Sequence, residues 1–291
     1  MSQVYLSTGA FLSRTLAEVL AECDAQGIRH VELSSGVRWD EGLLDGVWQR
    51  QDRMNYLVHN YFPPPRKAFV LNLASSDPAQ LTASREHCRA AIDLAAELGN
   101  PFYSVHSGFA VTLQPEMLGN IEAQRRLRVY DYDAAFRTFV ESLSELCRYA
   151  ESRGLRFLIE NNVIAHGIEC DPMRPPFLMA RPEELESLFA AVGHPGLGLL
   201  FDVAHAKVSA RTLGFDPLEF LEGASHLIAA FHLSDNDGRI DNNQPFSKDA
   251  WFAPALRRFP DVPMIIEVYR MQAKAMHEQI AVLHEILAIG S

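Results

Sequence analysis

The sequence predicts an α/β fold: eight short β-strands, each followed by helix, closed into a single (β/α)8 barrel with its active site at the C-terminal ends of the strands. Three observations carry this expectation. Strand and helix signals alternate from end to end. The strands are short, apolar and β-branched, as in a parallel sheet buried on both faces. Eight such units fit a chain of 291 residues, at about 30 residues per repeat. An open doubly wound sheet is the rival. It usually carries a glycine-rich phosphate turn after its first strand, and Ser7-Thr8-Gly9-Ala10 lacks that spacing.

The elements follow in order. Val4–Ser7 reads as a strand that ends at Thr8-Gly9. Thr15–Gln26 has helical periodicity through Leu16, Val19, Leu20 and Cys23, and stops at Gly27. His30–Leu33 is the second strand, a weakly patterned helix covers Glu41–Arg50, and Tyr56–Tyr61 is the third strand. Pro63-Pro64-Pro65 permits neither helix nor ladder. Asp77-Pro78 opens a helix that runs to Leu98, closed by Gly99-Asn100-Pro101. Phe102–His106 is strand four, Asp133–Arg153 a long amphipathic helix, and Arg156–Glu160 strand five. Helix Pro182–Val192 precedes strand six, Leu197–Asp202. A short helix, Phe215–Glu222, precedes strand seven, Leu227–Leu233. Lys248–Phe259 is helical, Met264–Val268 is strand eight, and Gln272–Ile289 is the last helix. Two long connections, Ser107 to Tyr132 and Asn161 to Arg181, are expected to act as lids or specificity loops. No linker or low-complexity tract interrupts the pattern, so residues 1–291 read as one domain.

Bulk properties narrow the function. A hydrophobic content of 48% suffices for one large core. With 26 Lys and Arg against 37 Asp and Glu, the net charge is −11. Such a field repels nucleic acid and acidic membrane surfaces, so neither is an expected partner. No apolar run approaches the roughly 18 residues of a membrane span. The N-terminus carries no secretory pattern. Cys23, Cys88, Cys147 and Cys170 form no CxxC pair, and three of them fall in helices as buried thiols. A reducing, cytoplasmic setting is expected, and a homo-oligomer is compatible with it.

Four stretches share one design: Phe157–Asn162 (FLIENN), Leu199–His205 (LLFDVAH), Ala230–Asp235 (AFHLSD) and Met264–Tyr269 (MIIEVY). Each is an apolar strand that ends in a metal-capable side chain. These are Glu160, Asp202, His232 and Glu267, spaced 42, 30 and 35 residues apart. Singly, each has an ordinary reading. Glu160 and Glu267 could serve salt bridges, Asp202 is a common helix N-cap type, and His232 could be a satisfied core histidine. Together, at corresponding ends of four successive strands, they would bury polar groups at a cost unless they serve one site. Three carboxylates and one imidazole suit a divalent ion such as Mn, Mg, Co or Zn. An open position on that ion would let two adjacent substrate oxygens chelate it, with the metal stabilising an enediolate while a carboxylate moves the α-proton.

Further polar residues surround this set. His59 ends strand three, His106 ends strand four, and His205 follows Asp202 by three residues. They read either as core histidines satisfied by hydrogen bonds or as substrate-hydroxyl contacts or further metal ligands, and the last leaves room for a second ion. Asp235 and Arg239 follow His232 and are candidates for binding substrate. Arg239, Arg174 and Lys207 are candidates for a phosphate contact.

With these residues in place, the whole chain resembles the xylose-isomerase-like TIM-barrel superfamily of sugar isomerases, ketose 3-epimerases, inosose dehydratases and the endonuclease IV branch. Ile159-Glu160-Asn161, Phe201–His205, His232–Asp235 and Ile266-Glu267 carry the resemblance. It implies that Glu160, Asp202, His232 and Glu267 hold one catalytic metal. It implies further that Glu160 and Glu267 exchange the proton from opposite faces of the substrate, and that His205 contacts that substrate. The endonuclease IV branch uses three zinc ions, and His59, His106 and His205 match its extra histidines in type. Asn243 stands where that branch carries another histidine, and a neutral amide is a poor zinc ligand. The expected function is isomerisation or epimerisation of a sugar or sugar derivative. A dehydratase or lyase on the same metal site, a zinc-dependent endonuclease IV-like phosphodiesterase and a non-enzymatic sugar-binding barrel remain open.

Overall fold

Eight parallel strands pair in sequence order, β1 with β2 and so on round to β8, which returns to pair with β1. The computed structural model describes residues 3–125 and 127–288. The strands are β1 (Val4–Ser7), β2 (His30–Leu33), β3 (Asn55–His59), β4 (Phe102–His106), β5 (Arg156–Glu160), β6 (Leu197–Asp202), β7 (Ile228–Leu233) and β8 (Met264–Ile266). Between and after them run α1 (Leu16–Gln26), α2 (Asp45–Trp48), α3 (Pro78–Glu97), α4 (Ile121–Gln124), α5 (Tyr132–Ser152), α6 (Pro182–Val192), α7 (Val203–Leu213), α8 (Pro217–Gly223), α9 (Ala253–Leu256) and α10 (Ala273–Ala288). Among the described residues no helix is long and apolar enough to cross a membrane.

Local chemistry sets the helix ends. Thr15 caps α1, accepting the Glu18 N–H, and Gly27 stops it in a left-handed conformation with φ 68°. Asp77 caps α3, whose first position is Pro78. The buried thiols of Cys23, Cys88 and Cys147 lie in α1, α3 and α5, all unpaired.

Several boundaries differ from the sequence reading. Strand three stops at His59 because Asn60 turns into the left-handed region, φ 49°. Strand eight stops at Ile266, so Glu267 follows the strand directly. The helices expected over 41–50 and 248–259 shrink to the single turns α2 and α9. Helix α7 is absent from the sequence reading. It starts at the residue after β6, with Asp202 itself as its cap. Ile289, the expected end of the last helix, lies outside the described residues.

Side chains alternate across each strand, and this alternation builds the site. Tyr5, Leu57, Phe102, Leu158, Leu200, Ala230 and Ile265, one from each of seven strands, form a buried cluster of their own. On β2, His30 sits edge-on to Tyr5 with ring centroids 5.1 Å apart. Two residues further along each strand stand Ser7, Glu32, His59, Ser104, Glu160, Asp202, His232 and Glu267, all buried. A plug of mostly apolar side chains therefore supports a polar ring at the C-terminal end.

The two long loops are tied to each other above that ring. The Ala110 N–H donates to the Pro176 carbonyl (2.8 Å) and the Leu178 N–H to the Gly108 carbonyl (2.9 Å). The Asn162 amide donates to the carbonyls of Ser107 and Leu178, at 3.0 and 2.9 Å. At the far ends of the loops, the Tyr132 hydroxyl donates to the Glu184 carboxylate in the first turn of α6. Burial pushes the Glu184 carboxyl up to about 7.

Candidate metal centre

Glu160, Asp202, His232 and Glu267 each offer a ligand atom within 4.8 Å of the others. His232 Nδ1 is the centre of the group. It lies 3.2 Å from Glu160 Oε1, 3.3 Å from Glu267 Oε2 and 3.9 Å from Asp202 Oδ2. The β6–β7 register places Asp202 directly beside His232. Asp202 does two jobs: its Oδ1 caps α7 by accepting the His205 N–H at 2.7 Å, while its Oδ2 is buried without a hydrogen-bond partner. Asn161 holds the Asp202 backbone through both amide atoms, at 2.8 and 3.0 Å.

A second group shares Glu160. His59 Nε2 and His106 Nε2 each lie 3.3 Å from Glu160 Oε2, which accepts no hydrogen bond despite full burial. The opposite nitrogen of His59 meets the Ser104 hydroxyl at 2.9 Å. The unsatisfied oxygens of Glu160 and Asp202 and the mixed oxygen–nitrogen donor set fit a divalent cation. Left bare, buried carboxylates at such distances repel one another and lose their hydration.

Two residues of the site, Glu32 and the Asp241 that faces His205, escape the sequence reading. Glu32, fully buried on β2, sets Oε1 2.9 Å from His232 Nε2. A ring that donates to Glu32 from Nε2 turns Nδ1 toward the three carboxylates, so Glu32 selects which nitrogen faces them. The signal for it is a charged residue inside an otherwise apolar strand, at the same inward alternation as the four metal-capable residues.

Proton affinities record the crowding. Burial alone would raise Glu160, but His106, His232 and His59 outweigh it and hold the carboxyl well below its ordinary value. Burial raises Asp202 and Glu267. Burial would lower His232, yet Glu32, Glu267 and Glu160 lift it well above an ordinary imidazole. Burial pushes His59 down to about 4, and lowers His106 as well. His205 rises well above its usual value: Asp202 and Asp241 overcome the effect of its burial.

The remaining candidates divide. His205 belongs to the site: Nδ1 meets the Asn161 carbonyl at 2.8 Å and Nε2 lies 3.2 Å from Asp241 Oδ2. Asn243, buried, approaches Glu267 Oε2 at 3.5 Å. Asp235 is engaged elsewhere, 2.6 Å from Lys207 Nζ. Arg239 is exposed, and its backbone binds Asp237 and His166 in the loop after β7. Arg174 pairs with Asp133 at 3.2 Å. Arg239, Arg174 and Lys207 therefore do not face the metal-capable group.

A cavity of about 460 Å3 opens beside the ring, lined by His106, His205, Asp241 and Glu267 and by apolar side chains of the loops, among them Phe109, Leu113 and Phe177. It is large enough for a sugar-sized ligand with one end at the carboxylates.

A family model described as xylose isomerase-like TIM barrel matches residues 17–286. The uncharacterized protein MJ1311 of Methanocaldococcus jannaschii is 28% identical over 176 residues, 60% of this chain and 50% of that protein. The match thus spans about half the length of that curated relative. Among solved structures, the TTHB071 protein of Thermus thermophilus, soaked with zinc chloride, has a TM-score of 0.66 at 24% identity, covering 99% of both chains. A D-tagatose 3-epimerase-like protein has a TM-score of 0.70 at 20% identity, covering 98% of this chain and 100% of that one. At these identities the structural likeness speaks to the fold. The family match takes in every strand but the first of a barrel closed in sequence order, and the chain belongs to the xylose isomerase-like TIM-barrel family.

Proposed function

We propose that this chain is a divalent-metal-dependent isomerase or epimerase that moves a proton between carbons of a sugar or sugar derivative. The observation that carries this reading is the convergence of Glu160, Asp202 and Glu267 on His232 Nδ1 beside a sugar-sized cavity. Glu160, Asp202, His232 and Glu267 would hold a Mn, Mg, Co or Zn ion. When bound, such an ion supplies Lewis acidity, polarising the substrate carbonyl and stabilising the charge of an enediolate.

The protein's own groups do the rest. Glu160 and Glu267 lie 3.2 and 3.3 Å from the same imidazole nitrogen, on strand β5 and just past β8. One takes the proton from the carbon next to the carbonyl, and the other returns a proton to the opposite face. His205, held by the Asn161 carbonyl, and Asp241 present polar atoms to substrate hydroxyls at the cavity wall. The paired loops over the ring exclude water, which protects the enediolate.

A second reading has one observation in its favour. His59 and His106 flank the second oxygen of Glu160, so a second ion sharing Glu160 would make a two-metal hydrolytic site of the phosphodiesterase kind. The net charge of −11 weighs against a nucleic-acid substrate.

The test is turnover of ketoses and keto-sugars by the metal-loaded protein in deuterium oxide. Deuterium at the carbon next to the carbonyl, with no other change of product mass, is expected. Turnover that survives exhaustive chelation would sink the mechanism. Loss of water would identify a dehydratase, and cleavage of abasic-site DNA would establish the second reading.

A further inference from the structure

The cavity of about 460 Å3 beside the carboxylate ring has two chemically different parts. Its floor is the ring itself, through His106, His205 and Glu267. Its walls come from the loops after β3, β4, β5 and β7, and they include Phe69, Phe109, Leu113, Leu118, Phe177 and Ile240. We infer that the walls enclose an aryl group, so that the substrate is a sugar derivative with an aromatic substituent on the end remote from the ring. The inference deepens the sugar isomerase reading and rests on it for the identity of the polar end.

The polarity of the walls is the first argument. Leu118 and Ile240 are 48% and 38% exposed, yet both stand in one lining with the buried Leu113 and Phe177. A single exposed apolar side chain is ordinary, whereas a group of them around a cavity marks a binding surface. Polar side chains of the same loops are spent on the protein. The Gln124 amide donates to the Met117 carbonyl at 2.8 Å, and the Asn162 amide to the carbonyls of Ser107 and Leu178. The Tyr61 hydroxyl accepts the Phe69 N–H at 2.7 Å. A second hydroxylated ring between these walls would lose its hydration for few new partners. An aryl group gains from the same burial.

The aromatic pairs are the second argument. Tyr61 and Phe69, both lining the cavity, have ring centroids 5.5 Å apart. Phe109 and Phe177, one from each lid loop, meet edge-on at 5.3 Å, and their backbones form an antiparallel bridge. Phe109 is clamped in place. The buried Asn72 accepts its N–H through Oδ1 at 2.9 Å and donates to its carbonyl through Nδ2 at 3.0 Å. The Tyr130 hydroxyl donates to the same carbonyl at 2.7 Å. A wall held this firmly loses little entropy when a ring enters. A guest ring gains edge-to-face or offset contacts with such pairs beyond the area that it buries.

Two arms test the subsite. In the first, the metal-loaded protein is titrated by calorimetry with acetohydroxamate, a small chelating head, and with phenylaceto-, 3-phenylpropiono- and 4-phenylbutanohydroxamate. The best of the phenyl compounds should bind about ten- to a hundredfold more tightly than acetohydroxamate, as burial of one ring gives. Leu118→Asn combined with Ile240→Asn, two partly exposed positions, should shrink that advantage at least about threefold. Phe109→Leu keeps the wall apolar, and it should cost the phenyl compound about two- to tenfold while sparing nonanohydroxamate, whose tail is alkyl. In the second arm, fluorescence follows the neutral aromatic dye N-phenyl-1-naphthylamine on chelator-treated protein, and the Leu118→Asn, Ile240→Asn variant should bind it more weakly than the parent. Affinity independent of the phenyl tail, or a tail preference untouched by the double substitution, overturns the subsite. Equal losses for the phenyl and alkyl tails in Phe109→Leu overturn its aromatic assignment. Dye binding in the second arm with no hydroxamate binding in the first leaves the subsite standing and overturns the metal-site reading instead.

Discussion

Glu32 Oε1 stands 2.9 Å from His232 Nε2, with both side chains fully buried. The carboxylate fixes which imidazole nitrogen keeps its proton and which faces Glu160, Asp202 and Glu267. Burial would raise Glu32, but His232 and His59 overcome it and keep the group ionised below its ordinary value. Replacing Glu32 with Gln should weaken divalent-ion affinity roughly ten- to a hundredfold, because the ring loses its charged anchor and can flip. Competition with a fluorescent chelator measures this without recourse to activity. An unchanged affinity would mean that Glu32 only fills space.

Glu160→Gln and Glu267→Gln address the proton transfer. Each should lower kcat at least about a hundredfold, the usual contribution of a positioned acid or base. Circular dichroism and bound-metal analysis should show folded, metal-bearing protein in the Glu267→Gln variant. Retained turnover in either variant would remove that residue from the chemistry.

Asn243 offers a gain-of-ligand experiment. Its Oδ1 is buried without a hydrogen-bond partner, and its amide nitrogen lies 3.5 Å from Glu267 Oε2. Its φ of 45° suits Asn and is also among the conformations histidine tolerates best. Asn243→His would add an imidazole beside Glu267 and should raise zinc stoichiometry by one ion per chain relative to the parent protein. Elemental analysis after gel filtration decides, and an unchanged stoichiometry would count against the geometry.

Glu184 predicts a pH dependence of stability. Its carboxyl is raised by burial from 4.5 to about 7 in the folded protein. Between those values the folded state holds a proton that the unfolded state releases, so stability falls as pH rises through this window. Above it, the full loss is about 3 kcal/mol. Below about 4.5 both states are protonated and the effect vanishes. Chemical denaturation of the parent and of Glu184→Gln should diverge across that range, with the parent losing ground as pH increases. Parallel curves would show that Glu184 ionises normally.

The barrel and the four metal-capable side chains that it gathers are legible because one rule, inward alternation along apolar strands, governs both. Glu32 obeys the same rule. It is lost because β2 has only four residues and its Glu resembles an ordinary surface charge when seen without its neighbours. Helix α7 is hidden by Asp202, which ends a strand, caps a helix and faces the ring at once. Asp235 and Arg239 look like site residues from their nearness to His232 in sequence, but the loop after β7 turns them to Lys207 and to solvent.

The joining of β8 to β1 has a consequence for how the protein matures. β8 pairs with β1 through Val4–Met264, Tyr5–Ile265 and Leu6–Ile266. A nascent chain still waiting for its last strand has two unpaired sheet edges, lacks Glu267, and holds Glu32 and His232, 200 residues apart, in no fixed relation. Synthesis therefore delivers the metal-capable Glu267 last, with the strand that seals the ring. An ion that binds only the finished ring would then stabilise the sealed form by mass action, so that metal supply during synthesis would govern the yield of folded protein as well as its activity.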